Sequence, residues 1–311
     1  MMDSAKYRLA DERLWSSAEV TPQELFVRLP RLGSDVRVQI VGDGPPVLFV
    51  HGAPNAGSAW APLMGALSSY RCFLLDRPGT GLSAPLSGKW STERMLTYAD
   101  SLVADALDAL DLEHADVVAS SFGGYITLRS AAAHPDRIDR IVQMGAPALV
   151  PGMTVPRFMR LLTAPVIGNI VRRLPPTASG NNSVMREMGH HTSLDSGRFP
   201  DAFLDWYLAL QRHTDTMRHD GAMIAASARR GRFADELLLT DETLHKVVAP
   251  TLLFWGADDG FGGADVGTDL ATRLPHATLD MLEGGGHLPW LDNPSRAAAA
   301  VASWLSADAT V

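Results

Sequence analysis

A serine at the junction of a strand and a helix constrains this chain more than any other feature. Residues 116–119 are mostly apolar and β-branched, which indicates a buried strand. Residues 125–133 are typical of a helix, which His134-Pro135 would end. A strand that turns sharply into a helix strains the backbone at the turn and exposes that side chain as a nucleophile. An ordinary turn capped by serine has the same local pattern, so partners for the serine must come from elsewhere.

Two adjacent serines compete for the position at this turn. Only small residues fit two places before and two places after the turning residue, because strand and helix otherwise collide. For Ser120 these two places hold a valine and a phenylalanine, whereas for Ser121 they hold Ala119 and Gly123. The steric rule therefore predicts Ser121 as the nucleophile.

Composition excludes several classes of protein. The chain has 311 residues, of which 46% are hydrophobic and 20% charged, enough for one large α/β domain with an insertion or for two domains. A net charge of −8 argues against a nucleic-acid partner. Cys72 is the only cysteine, and its apolar neighbours indicate a small core residue. Residues 1–20 lack the apolar stretch of a signal peptide, and no run is long enough to span a membrane, so we expect a cytoplasmic protein without membrane partners.

The order of predicted elements indicates an α/β fold. Up to residue 147 strands alternate with helices, which is typical of a mostly parallel sheet with helices on both faces. Between residues 148 and 246 there are helical runs but no convincing strand, and the alternation then resumes with a strand at 251–255. We therefore predict a core of residues 21–147 and 247–311, a helical cap inserted at 148–246, and a polar tail or loose helix at 1–20.

Two later loops carry partners for the serine. A serine hydroxyl needs an adjacent base at neutral pH, and that base needs a carboxylate to orient it. His287 follows three glycines after the last predicted strand, and Asp259 follows the strand that ends at Trp255. The order Ser121, Asp259, His287 is that of nucleophile, acid and base in one large group of hydrolases.

With these residues the chain resembles the α/β-hydrolase superfamily, specifically its capped, cofactor-free branch. The resemblance covers residues 35–147 and 247–308. Its spaced motifs are those around the elbow, Asp259 and His287, together with His51-Gly52-Ala53-Pro54 and the turn 76–83. It implies an α/β-hydrolase fold, no cofactor, and Asp259 rather than Asp258 as the acid, because the family places the acid three residues after a glycine that ends the strand.

The resemblance also implies an oxyanion hole made of two backbone N–H groups. One is the N–H of Phe122, directly after the nucleophile, and the other comes from the loop after an earlier strand. Ala53 is the expected donor there, because Pro54 has no N–H. We interpret His51 and the turn 76–83 as structural.

Pocket residues are weakly indicated. Asn55 is a candidate beside the oxyanion donors, and Phe261 and Trp290, which flank the acid and base loops, are either pocket wall or plain core. His190-His191 have no carboxylate or cysteine at ligand spacing, so we expect them to be solvated and predict no metal site. The cap supplies apolar candidates for the pocket: Leu161, Leu162, Val166, Ile167, Ile170, Phe203, Trp206, Leu210, Met217 and Met223.

Three functions fit these residues. The first is hydrolysis of a small or medium apolar ester or lactone through an acyl-enzyme on Ser121. The second is hydrolysis of a carbon–carbon bond in a dienone of the meta-cleavage type. The third is binding of a ligand without turnover, and the intact Ser-Asp-His set argues against it, because a pure binding role does not require such a set. The expected partner in each case is a small apolar molecule, and the sequence predicts no oligomeric state.

Overall fold

The computed structural model describes residues 4–163, 174–229 and 232–307. Its strands lie close to the predicted segments, since short apolar runs bounded by Gly, Pro or Asp determine their ends. In chain order the strands are β1 (Gln23–Arg28), β2 (Asp35–Val41), β3 (Pro46–Val50), β4 (Arg71–Leu75), β5 (Ala115–Ser120), β6 (Ile138–Met144), β7 (Ala228–Arg229), β8 (Arg232–Phe233), β9 (Thr251–Gly256) and β10 (Ala277–Leu282).

Eight of these strands form one sheet in the order β1-β2-β4-β3-β5-β6-β9-β10. The pairs β1–β2 and β2–β4 are antiparallel, and every other pair is parallel. This confirms the predicted α/β-hydrolase fold with a mostly parallel sheet. The carboxyl ends of β3, β5, β9 and β10 consequently lie along one edge, where a ligand binds in an open sheet of this type.

Helices cover the sheet and fill the insertion between β6 and β9. The predicted helix 92–110 is observed, and its first turn is capped by Ser91, whose hydroxyl accepts from the N–H of Arg94 at 3.2 Å. The helices are α1 (Ser4–Ser17), α2 (Ala61–Met64), α3 (Thr92–Ala109), α4 (Ser121–Ala133), α5 (Arg157–Thr163), α6 (Ala178–Glu187), α7 (His191–Asp195), α8 (Asp201–His213), α9 (Thr216–Ser227), α10 (Asp241–Leu244), α11 (Ala264–Arg273), α12 (Pro289–Asp292) and α13 (Pro294–Ser306).

The insertion differs from expectation in one element. Sequence reasoning found no strand between residues 148 and 246, yet β7 and β8 pair there as a short antiparallel hairpin. Each of these strands has only two residues, too few for alternation to be visible in the sequence.

The N-terminal segment is packed rather than loose. Helix α1 buries Tyr7, Leu14 and Trp15, and the buried carboxylate of Asp11 accepts from Nη2 of Arg37 at 2.7 Å. The expectation of a polar tail or loose helix at 1–20 is therefore wrong. Large amphipathic side chains and the ion pairs Asp11–Arg37 and Arg8–Glu24 anchor this helix, and its mean hydropathy does not reveal these contacts.

The core of the sheet is apolar on both faces. Strands β3 and β5 are buried along nearly their whole length, as expected of parallel strands covered on both sides, and Cys72 is buried among them. Among the described residues, no helix is both long and apolar enough to cross a bilayer.

Candidate active site

The turn between β5 and α4 has the strained geometry that the sequence predicts. Strand β5 ends at Ser120, helix α4 begins at Ser121, and Ser121 has a φ of +50°, in the left-handed region that a residue with a side chain rarely adopts. A Cβ on Gly123 would lie 2.1 Å from the carbonyl oxygen of Val50, so the helix start packs directly on strand β3. A small residue is needed at this place because the backbone of the helix is in direct contact with the backbone of β3.

The structure separates the two serines. Ser121 lines a cavity at the carboxyl edge of the sheet, together with His287. The hydroxyl of Ser120 is instead buried and has no hydrogen-bond partner among the described residues. A Cβ on Gly52 would lie 2.7 Å from Cβ of Ser121, so the loop after β3 closely flanks the candidate nucleophile.

His287 and Asp259 form a buried pair. Both carboxylate oxygens of Asp259 lie 2.9 Å from Nδ1 of His287. The same carboxylate accepts from the N–H of Phe261 and of Ala146, each at 2.8 Å. Because a carboxylate only accepts, Nδ1 carries the proton and Nε2 presents a lone pair. Nε2 is buried and has no hydrogen-bond partner among the described residues, which leaves it available as a base toward Ser121.

The neighbouring aspartate is placed differently. The side chain of Asp258 is 38% exposed and its carboxylate lies 3.5 Å from Nε2 of His191. Asp259 is thus the carboxylate that contacts His287.

The candidate oxyanion donors lie beside Ser121. Ala53 follows β3 and lines the same cavity as Ser121, and its N–H has no acceptor among the described residues. The N–H of Phe122 belongs to the first turn of α4, where N–H groups have no partner within the helix. The two candidate N–H groups thus come from the loop after β3 and from the start of α4, which follows β5, and β3 and β5 are neighbours in the sheet.

His51 is a structural residue of this loop. Its Nδ1 donates to the carbonyl of Gly52 at 2.7 Å, and its Nε2 accepts from the N–H of Arg77 at 3.1 Å. Burial, reinforced by the nearby Arg77 guanidinium, holds the pKa of His51 well below its usual range. His51 is consequently neutral and both ring nitrogens are occupied, in line with its predicted role. The turn 76–83 is also held in place by Asp76, whose carboxylate accepts from the N–H of Leu82 at 3.0 Å within the turn and from the N–H of Gly57 at 2.7 Å.

Two cavities share the candidate catalytic residues. The larger measures about 110 Å³ and the smaller about 50 Å³, and both are lined by Ala53, Ser121 and His287. The insertion forms much of the larger cavity, and its lining residues there are mostly apolar, with two neutral amides: Phe158, Met159, Asn181, Val184, Met185, Met188, Tyr207, Gln211, Met217, Gly221 and Ile224. Among the described residues, no Lys, Arg, Asp or Glu lines either cavity.

The predicted pocket residues have different positions. Asn55 and Phe261 line the larger cavity, and the Phe261 ring lies 4.3 Å from the His287 ring. Trp290 does not line this cavity. It is fully buried, stacks on Trp60 at 4.2 Å and donates to a backbone carbonyl. The pocket-wall alternative is therefore wrong for this residue.

The apolar candidates of the insertion also divide. Met217 and Met223 each line one of the two cavities. Phe203, Trp206 and Leu210 are buried away from them, and Leu161 is exposed. Val166, Ile167, Ile170 and the side chain of Leu162 lie outside the described residues.

Sequence reasoning missed a second histidine–aspartate pair. His190 is fully buried, not solvated: its Nδ1 donates to Asp292 at 2.8 Å and its Nε2 accepts from the N–H of Leu288 at 3.2 Å. The N–H of His287 donates to the carbonyl of Met188 at 2.9 Å. The insertion thus holds the loop that carries His287. The partners are 102 residues apart, and nothing near either one in sequence indicates the contact. His191 is half exposed, as expected.

The fold and this site define a class. Ser121 on a strained strand-to-helix turn, His287 oriented by Asp259, and two backbone N–H groups beside the serine form the arrangement of a serine-type hydrolase on an α/β sheet. The sequence pattern of the α/β hydrolase fold family matches residues 45–294. The chain therefore belongs to the α/β hydrolase family and is an enzyme of the serine-hydrolase type.

Proteins similar to this chain are named for more than one hydrolytic reaction. A 2-hydroxy-6-oxononadienedioate/2-hydroxy-6-oxononatrienedioate hydrolase of Cupriavidus pinatubonensis is 27% identical over 248 residues, which is 78% of this chain and 80% of the relative. The solved structure of the carboxylesterase CesB of Bacillus subtilis has a TM-score of 0.73 at 18% identity, with 97% and 98% of the two chains covered. A 2-hydroxy-6-oxo-6-phenylhexa-2,4-dienoate hydrolase of Rhodococcus sp. strain RHA1 has a TM-score of 0.76 at 19% identity, with 92% and 100% covered.

Proposed function

We propose that the protein hydrolyses a small or medium, neutral and apolar carboxylic ester or lactone through an acyl-enzyme on Ser121. The observation that carries this proposal is the shared cavity of Ser121 and His287, with the His287 ring oriented by Asp259 and apolar walls around it. An acyl transfer needs a nucleophile, a base and an oxyanion hole at one place, and this cavity holds candidates for each.

The geometry supports a two-step reaction. Oγ of Ser121 attacks the carbonyl carbon while Nε2 of His287 takes its proton, and the N–H groups of Ala53 and Phe122 stabilise the oxyanion. His287 then gives the proton to the departing alcohol. A water molecule, deprotonated by His287, attacks the acyl carbon, and the bond to Oγ of Ser121 breaks as His287 returns the proton to Oγ, which releases the acid. Asp259 stays ionised and stabilises the imidazolium in both steps.

The walls of the two cavities support a neutral substrate. Methionine, tyrosine and isoleucine side chains form much of the roof, together with the neutral amides of Asn181 and Gln211, and methionine adapts its shape to irregular apolar groups. A carboxylate buried here would have no cationic partner among the described lining residues, which is costly. Two cavities of about 110 and 50 Å³ that both reach Ser121 suit an acyl and an alcohol group of unequal, moderate size. The roof implies that the insertion acts as a lid that excludes bulk water.

A second candidate function is hydrolysis of a carbon–carbon bond. Its support is the relative named above, which its name assigns to a dienedioate. A dioate carries two carboxylates, and the described cavity walls supply no Lys or Arg to receive them. The ester proposal therefore fits the described site better. Binding without turnover gains no support from a site in which Asp259 orients His287.

A matched pair of substrates tests the ester proposal. The p-nitrophenyl ester of pentanoate and the mono-p-nitrophenyl ester of glutarate have the same acyl length and differ by one terminal carboxylate. We expect kcat/KM to be at least about tenfold higher for the neutral ester, because an unpaired buried carboxylate costs more than about 1.4 kcal/mol. Activity should also fall sharply from medium to long acyl chains, without activation at a lipid interface.

Two results would contradict the proposal. A preference for the glutarate ester, or turnover of a dienone diacid together with inert neutral esters, would favour the carbon–carbon hydrolase. Rates that rise steadily up to palmitate would indicate a lipase. The cytoplasmic location and the exclusion of nucleic-acid and membrane partners stay predictions from the sequence.

A further inference from the structure

Arg77 and Asp220 form a fully buried ion pair between the core and the insertion. Arg77 lies in the turn after β4 and Asp220 lies in α9, and Nη2 of Arg77 donates to Oδ2 of Asp220 at 2.8 Å with both side chains 0% exposed. Burial raises the pKa of a carboxyl, but the Arg77 guanidinium outweighs it and holds the pKa of Asp220 below its usual value, so the pair is charged. A buried ion pair contributes little to the free energy of folding compared with apolar residues. Stability alone therefore does not explain the buried guanidinium of Arg77.

The same guanidinium binds the backbone that carries a candidate oxyanion donor. Nε of Arg77 donates to the carbonyl of His51 and Nη2 to the carbonyl of Gly52, each at 3.0 Å. The carbonyl of Gly52 and the N–H of Ala53 belong to one planar peptide group, so a partner that holds the oxygen also sets the direction of the N–H. The positively charged guanidinium that donates to the carbonyl oxygen polarises this peptide group and makes its N–H a stronger donor.

The residue that carries the second donor also contacts this guanidinium through its side chain. The guanidinium carbon of Arg77 lies 5.3 Å from the ring centroid of Phe122, a distance typical of a cation–π contact. The N–H of Phe122 is the other candidate oxyanion donor. One side chain therefore contacts the peptide group that contains the first donor and the ring of the residue that carries the second.

Helix α9 of the insertion is in close contact with the turn that carries Arg77. The N–H of Gly81 donates to the hydroxyl of Thr216 at 2.9 Å. A Cβ on Gly79 would lie 2.2 Å from the ring of His219, so turn and helix approach as closely as a glycine allows. The position of Arg77 consequently depends on the position of α9.

We propose that Arg77 is a positioning residue for the oxyanion hole and that Asp220 places it, so that the two donors are aligned while α9 is seated on the core. The inference rests on the proposed function, because it requires an oxyanion at Ala53 and Phe122. It gives the insertion a part in activating the enzyme besides covering the cavity.

The test uses three variants of the full chain. Asp220→Asn keeps the shape and an acceptor for Arg77 but removes the negative charge. Arg77→Lys keeps the positive charge but cannot hold two carbonyls with a rigid fork. The double variant Arg77→Met/Asp220→Leu has no unpaired buried charge, so it should fold even where a single variant does not.

Asp11→Asn is the matched control. Asp11 also forms a buried ion pair, with Arg37, and it accepts from Nε1 of Trp206 in α8 of the insertion at 2.9 Å. It contacts neither Ser121 nor the loop 51–55. Losing this pair should lower the unfolding temperature and leave the chemistry unchanged.

Two readouts separate positioning from stability. The first is the rate at which a fluorophosphonate probe labels Ser121, which needs the oxyanion hole but no knowledge of the natural substrate. The second is kcat and KM with p-nitrophenyl butanoate. A lost oxyanion donor costs about 100- to 1,000-fold, so a misdirected donor should slow labelling and lower kcat by about 10- to 100-fold. KM should stay within about twofold, since the donors act on the transition state.

The outcomes decide between the alternatives. The inference would be supported if the three variants label more slowly and have a lower kcat while Asp11→Asn labels at the wild-type rate. Folded variants that label within twofold of the wild type would overturn it, and so would an Asp11→Asn variant that is equally slow, since the pair would then only anchor the insertion. A wild type that labels but turns over no ester would contradict the ester proposal alone. A wild type that does not label would contradict both.

Discussion

Replacing Asp259 with asparagine should nearly abolish activity, and the structure shows why. The carboxylate of Asp259 receives the proton on Nδ1 of His287 and two backbone N–H groups, one on each oxygen. An amide has only one acceptor oxygen. Whichever way it is turned, its NH₂ faces the N–H of Phe261 or of Ala146, and a donor meets a donor.

The magnitude follows from two separate effects. An NH₂ group near Nδ1 favours the tautomer with the proton on Nε2, which removes the base from Ser121. In a serine triad the same change lowers kcat by about 10⁴, equivalent to about 5 kcal/mol of barrier. One buried N–H without an acceptor should also lower the free energy of unfolding by about 1–3 kcal/mol.

The assay compares Asp259→Asn with Asp258→Asn. The side chain of Asp258 is 38% exposed and lies 3.5 Å from His191, so its replacement should leave kcat within about twofold. Steady-state hydrolysis of p-nitrophenyl butanoate gives kcat, and thermal unfolding shows that each variant is folded. A folded Asp259→Asn variant that keeps more than a tenth of the wild-type kcat would refute the reasoning, as would an equal loss in Asp258→Asn.

Three further predictions follow from other contacts of the site. Ser121→Ala should lower kcat by several orders of magnitude and abolish fluorophosphonate labelling, whereas Ser120→Ala should change kcat only slightly. Mass spectrometry of the labelled peptide identifies the modified serine, and a label on Ser120 would contradict the assignment. Gly123→Ala should lower the unfolding temperature by several degrees or prevent folding, because its Cβ would lie 2.1 Å from a carbonyl of β3, and an unchanged melting curve would contradict this contact. His190→Gln, which retains an acceptor at the Nε2 position for the N–H of Leu288, should keep more activity than His190→Asn; equal kcat values would show that this hydrogen bond does not position the His287 loop.

The elbow and its partners could be read from the sequence because their requirements are local. Two small residues around Ser121, a β-branched run before it and a helix after it are all within about a dozen positions. The steric reason is visible in the structure, where Gly123 packs against the backbone of β3. Asp259 and His287 could be named because each follows a strand, and parallel strands bring their carboxyl ends to one edge.

Other contacts of the site involve residues that are far apart in the chain, and no local sequence pattern indicates them. Arg77 stands in a turn that looked purely structural, and its partner Asp220 is 143 residues away. Trp290 and Phe261 looked alike as aromatic residues near the base and acid loops, yet one stacks in the core and the other lines the cavity.

The sequence by itself thus determined the order of the strands and helices of the core and the candidate nucleophile, because backbone sterics and periodicity act between close neighbours, while the resemblance to the α/β-hydrolase superfamily indicated the acid and the base. Only the tertiary structure decided that α1 is packed, that His190 is buried, and that the insertion reaches the loops of the site through Arg77 and His190. The free energy of burying a polar or aromatic side chain depends on the hydrogen-bond partners and packing that the whole fold supplies, and those partners are remote in the chain.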